Sequence, residues 1–88
     1  MSEHRLHIRV DCEMKCNMRR GCLYYPAMVK NISPGGALVN FYITHPNLHV
    51  GDNCDVYIGG ENLREYSCEV VRIKSLDVAL KFIDMHTL

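Results

Sequence analysis

The sequence predicts an all-β domain of six short strands. Three observations carry that prediction: apolar residues alternate with period two in several segments, Gly, Pro, Asn and Asp cluster between those segments, and no segment has a convincing helical period. Such a chain folds as an antiparallel barrel or sandwich, and closure into a barrel would leave no exposed strand edge. Eighty-eight residues make one domain, 1–88, able to bury roughly 60% or more of its unfolded surface and no second core.

The first strand is the clearest. From Val10 to Met18, residues Val10, Cys12, Met14, Cys16 and Met18 fall on one side and Asp11, Glu13, Lys15 and Asn17 on the other. That is the pattern of a half-buried strand. "RRG" at 19–21 is a polar turn ending in Gly. Leu23 to Ile32 is the second strand, carrying Pro26, which suits an edge or a bulge. "NISPGG" closes it, and Ala37 to Phe41 is a short third strand. "YITHPNLHVGD" is a loop with Pro46 and a Gly51-Asp52 turn. Cys54 to Ile58 is the fourth strand. "GGEN" turns into Tyr66 to Ile73, where the alternation slips at Val70-Val71 as a bulge would make it. "KSLD" then leads to Val78 to Ile83, the sixth strand.

Composition narrows the function. Apolar residues are 48% and charged residues 23%, the range of ordinary soluble globular domains. No run approaches the 18 or so apolar residues of a membrane helix, and "MSEHRLHIRVDC" holds no apolar core of a secretory signal. A cytoplasmic protein without membrane insertion is expected. The formal net charge is zero, which weighs against a nucleic acid polymer as partner. The zero hides an asymmetry. Residues 1–30 carry Arg5, Arg9, Lys15, Arg19, Arg20 and Lys30 against Glu3, Asp11 and Glu13, so a small anion could be held near the start. A nucleic-acid-binding barrel would want a basic face with stacking platforms; the aromatics here sit mostly on predicted strands beside apolar neighbours.

The five cysteines are Cys12, Cys16, Cys22, Cys54 and Cys68, an odd number that speaks against a disulfide framework. Cys12 and Cys16, four residues apart on one strand, are separated by about 13 Å between Cα atoms. Zinc holds its sulfurs within about 4 Å of each other, so this pair shares no metal, and it is too far apart to bridge. All but Cys22 fall on apolar faces and read as core, where thiols are inert. His45, His49 and His86 have no spacing that links them to a nucleophile. No catalytic residue, metal or cofactor is predicted. The glycosylation pattern Asn31-Ile32-Ser33 carries no weight without an export signal.

Two features have no packing reason. Arg5 and Arg9 flank "LHI" on a segment too polar for a core, and an Arg fork matches a phosphate or the O6 and N7 of guanine. The corner "NISPGG" adds the Asn31 amide, the Ser33 hydroxyl, and Gly35 and Gly36, whose missing Cβ lets backbone approach a ligand. Together they suit a ligand with guanine faces and phosphates.

The pair "RLHIR", Arg-x-x-x-Arg, and "NISPGG", Asn-x-Ser-x-x-Gly, in this order with 21 intervening residues, resembles the two-part signature of the PilZ domain family. The likeness runs from Arg5 to the closing "VALKFIDM". It implies a six-stranded antiparallel β-barrel that binds the bacterial second messenger cyclic di-GMP and acts as a receptor, not an enzyme. Arg5 and Arg9 would then grip phosphate and the Hoogsteen edge of guanine, Asn31 a guanine edge, Ser33 a phosphate or guanine group, and Gly36 would permit the close turn. Ala79 departs from the Gly frequent in the last strand. His4 stands where some members carry a further Arg and bind a ligand dimer, so stoichiometry stays open.

The expectation is a cyclic di-GMP receptor that signals to an effector protein. The alternative is a protein-interaction module of the same fold that binds no nucleotide. Residues 1–9 can bury little beyond Leu6 and Ile8, and are expected to form a mobile arm that ligand orders.

Overall fold

The computed structural model describes residues 10–42, 47–59 and 63–87, with side chains between 13 and 84. Arg5, Arg9 and the expected arm lie outside the described residues. The strands are β1 (Val10–Arg20), β2 (Leu23–Ser33), β3 (Gly36–Phe41), β4 (Asn53–Ile58), β5 (Arg64–Lys74) and β6 (Asp77–Thr87). They close a barrel in the order β1-β2-β3-β6-β5-β4, every neighbour antiparallel. The predicted barrel is therefore the one formed, rather than a sandwich. Among the described residues no helix occurs, and so none long and apolar enough to cross a membrane.

Each strand begins or ends further out than the apolar pattern suggested. β1 runs on through Arg19 and Arg20 because Tyr24 and Leu23 pair with them across the turn, and β6 continues to Thr87 opposite Arg64. Ladder pairing continues where hydrophobic alternation has stopped, since backbone groups need partners whatever the side chain. The turn between β1 and β2 puts Gly21 at φ 62°, a conformation glycine adopts without a Cβ penalty. Pro26 lies opposite Asn17 and just beyond the last β2–β3 pair, Ala27 with Phe41. On that side there is no ladder for its missing N–H to interrupt.

Inward positions of all six strands fill the interior. Phe41, Met18, Val29, Val39, Val56, Val70, Val78 and Cys68 are fully buried, and no polar or charged residue is buried with them among the described residues. Leu48, from the loop before β4, is buried in the same core. That loop is pinned to β5 by bonds from Gly51 N to Val70 O (2.7 Å) and from Val70 N to Asp52 O (2.8 Å). Cys16, Cys54 and Cys68 are buried thiols, as the alternation predicts, whereas Cys22 is exposed. Burial pushes Cys16 up to about 12 and Cys54 up to about 11, and pushes Cys68 up as well.

Regular alternation fails at the start of β1. The β1–β2 register shifts between Asp11 and Met14, and Met14, although in phase with Cys16 and Met18, is 36% exposed.

The candidate ligand groove

Ser33 and Gly36 pair across the β2–β3 hairpin, leaving only Pro34 and Gly35 at its tip. Pro34 presets one backbone angle of so short a loop. Gly35 is not in the left-handed region, which among the described residues holds only Gly21, Gly51, Gly59 and Ser75. The tip is tied to β6 by a 2.8 Å bond from Phe82 N to Gly35 O. Gly36 is required for a different reason from a tight turn. A Cβ there would run into the Leu80 carbonyl oxygen, with the Leu80 carbonyl carbon and Lys81 Cα behind it. Glycine is thus what lets β3 and β6 approach this closely.

On the outside of the barrel, next to this hairpin, lies a groove of about 300 Å³. Asn31 and Ser33 stand on its β2 side, Gly36 and Leu38 of β3 and Ala79 of β6 line its floor, and Arg72 of β5 and Lys81 of β6 stand opposite. Among the described residues its lining holds two cations, Arg72 and Lys81, and no carboxylate, a set that attracts anions although the whole chain is neutral. The Ser33 hydroxyl donates to the Gly36 carbonyl oxygen over a long 3.4 Å, a weak tie that a better acceptor could replace.

A second concavity of about 480 Å³ meets the first at Ser33. It is lined by Pro34, Tyr66, Phe82, Ile83 and Asp84 besides Ser33. The rings of Tyr66 and Phe82 stack within it, centroids 4.2 Å apart and planes at 26°.

Four of the six residues singled out from sequence, Asn31, Ser33, Gly35 and Gly36, therefore share one groove. Arg72 and Lys81 share it too, and no motif pointed to them. The Arg19-Arg20 turn is at a different place and is engaged otherwise: Arg19 pairs with Asp55 at 2.6 Å and Arg20 with Asp52 at 3.2 Å. These pairs tie the end of β1 to β4 and to the loop before it, and neutralise part of the N-terminal basic excess. Among the described residues no three His, Cys, Asp or Glu side chains are grouped so as to hold a metal.

The PilZ domain model matches residues 3–87. The chain belongs to the PilZ domain family. Two solved structures share this PilZ fold. One is the inhibitor of motility MotI/DgrA of Bacillus subtilis, with a TM-score of 0.77 and 18% identity over 97% of this chain. The other is the PilZ domain of YcgR from Escherichia coli, solved with c-di-GMP, with a TM-score of 0.78 and 12% identity over 93% of this chain. The chain spans 44% of the length of the first and 79% of the second. A search of curated protein sequences finds no match.

Proposed function

We propose that this PilZ domain is a receptor for cyclic di-GMP, without catalytic activity of its own, that passes ligand occupancy to an effector protein in the cytoplasm. The observation that carries the reading is the groove, where Asn31 and Ser33 stand across from the cations Arg72 and Lys81. The YcgR domain of the same fold, solved with c-di-GMP, supports the choice of ligand. Asn31 can both donate to and accept from a guanine edge, and Ser33 can bond a phosphate oxygen. Arg5 and Arg9 complete the clamp from the N-terminal side, each fork bidentate to phosphate or to guanine O6 and N7.

In this reading the signal is the ordering of residues 1–9 over the ligand. Fixing them costs on the order of 1–2 kcal/mol per residue in backbone entropy, which contacts from Arg5 and Arg9 to the ligand offset. The ordered arm then offers a partner a new surface of reduced positive charge.

Titration calorimetry with cyclic di-GMP tests the ligand, and Arg5→Ala or Arg9→Ala should each weaken binding by about 1–3 kcal/mol. Absence of heat at millimolar ligand would overturn the assignment and leave the nucleotide-free interaction module. Backbone amide relaxation with and without ligand tests the switch separately. Equal order parameters for residues 3–9 in both states would discard it.

A further inference from the structure

The walls of the groove are built by two β-bulges that correspond to one another. In β2 the register with β3 shifts between Val29 and Asn31, so Lys30 is the extra residue. In β5 the register with β6 shifts between Val70 and Arg72, so Val71 is the extra residue. Val29 and Val70 are fully buried, while Ile32 and Ile73, three residues on, again pack against the core. An unbroken strand would have turned Asn31 and Arg72 inward with Val29 and Val70. The bulges turn both outward, and re-aiming a side chain beside a functional site is a recognised use of a bulge.

The strand registers then place these two residues at opposite ends of one row. Asn31 pairs with Leu38, Leu38 with Ala79, and Ala79 with Arg72. Three strand spacings of about 4.8 Å separate the ends by no more than roughly 14 Å. Between them Leu38 and Ala79 form an apolar floor, and Arg72 is exposed. A flat aromatic ring fits this row: apolar floor below, an amide at one edge, and a planar, weakly hydrated guanidinium to cover the other face.

We propose that Arg72 is a ligand-binding residue of this domain, its guanidinium closing over a purine ring that lies flat across Leu38 and Ala79 with its edge toward Asn31. The proposal rests on the cyclic di-GMP reading and adds to it the bed and the cover of one base. It also gives Ala79 a role: a side chain no larger than a methyl leaves room for the ring, and a longer one would fill the floor.

The test is calorimetric titration of the full chain with cyclic di-GMP, comparing wild type with Arg72→Ala, Arg72→Gln and Lys74→Ala. Lys74 is an exposed cation on the same strand that does not line the groove, and it controls for general charge. Both Arg72 variants should lose roughly ten- to thirty-fold in affinity, the size of a desolvated cation–π contact, with unchanged melting temperature, and Lys74→Ala should bind like wild type. In wild type, the Ala79 and Leu38 methyl resonances should move upfield on saturation, as they must beneath a ring face. If wild type binds but the Arg72 variants bind equally well, or the methyls do not move, the inference falls and the ligand stands. If wild type gives no heat, the ligand reading falls and the inference with it.

Discussion

Gly35 and Gly36 stand side by side, and substituting each with Ala should have opposite consequences. At Gly36 the new methyl would meet the Leu80 carbonyl oxygen, with the Leu80 carbonyl carbon at 3.2 Å and Lys81 Cα at 3.3 Å. All three are backbone atoms of the neighbouring strand, so no side chain can swing aside; β3 and β6 must separate. Overpacking of this kind costs about 1–3 kcal/mol. Separation also strains the neighbouring bond from Phe82 N to Gly35 O, worth about 1 kcal/mol net. For a domain of this size each kcal/mol moves the midpoint by about 4–8 °C, so Gly36→Ala should melt roughly 5–20 °C lower. A Cβ at Gly35 meets nothing within 4 Å, and its φ is not left-handed. Gly35→Ala should therefore be neutral or more stable by about 0.4–1 kcal/mol, through a less free unfolded chain. Thermal denaturation followed by far-UV circular dichroism measures both. A Gly36→Ala protein as stable as wild type would refute the close β3–β6 approach, and with it the account of why glycine stands there.

Asn31→Ala should weaken cyclic di-GMP binding more than Ser33→Ala, whose neutral hydroxyl bond is worth about 0.5–1.5 kcal/mol net; calorimetry showing both unchanged would reduce the corner to a turn. A thiol reagent added to native protein should modify Cys22 rapidly and Cys16, Cys54 and Cys68 only on unfolding, as mass mapping of labelled peptides would show. Because burial raises the core thiols, they favour the folded state below the unfolded value of about 8.5, and that stability is lost as pH rises toward about 11 for Cys54 and about 12 for Cys16. Denaturant midpoints should fall across that window, and Cys54→Ser should reduce the dependence. Asp52 is held below the usual carboxylate range, first by the His49 backbone N–H and then by Arg20. Its contribution is present above about pH 3.9 and is lost as pH falls through its lower native value, so Asp52→Asn should flatten the acid limb of a stability–pH curve.

How far the fold was legible follows from what each strand shows on its surface. Cys16 and Met18 of β1, and Val78 and Leu80 of β6, alternate cleanly because the barrel buries one face of each strand and wets the other. The strand ends carry Arg19, Arg20 and Arg64, whose polarity hides them although the ladder includes them. The corner from Asn31 to Gly36 was legible as a motif, but the reason for Gly36 was not. It depends on the Leu80 carbonyl, more than forty positions away in the sequence and adjacent only after β3 and β6 have paired.

The groove shows why a functional row can hide in a pattern that otherwise reads easily. Alternation identifies strands by assuming that inward residues are two apart, so an inward pair three apart shows as a slip; the one at Val70-Val71 reads as a bulge, and the β5–β6 register has that bulge, but the slip alone does not say what the bulge is for. Yet the same spacing recurs at Val29 and Ile32, and in both cases the last residue before the second inward position is polar: Asn31 and Arg72. Two such slips on strands that flank β3 and β6 carry information one slip does not. Each puts a polar side chain outward where a regular strand would have buried it, and the registers bring both to the same row. Removing Val71 would test that coupling directly. The deletion should restore two-residue alternation in β5, with Val70 inward, Arg72 outward and Ile73 inward, and Arg72 still opposite Ala79. The variant should therefore fold and keep its pairing with β6, seen as a dispersed amide spectrum with the Arg72–Ala79 cross-strand contacts retained. A Val71-deleted protein that unfolds, or in which Arg72 no longer faces Ala79, would show that Val71 is not the extra residue that sets the position of Arg72.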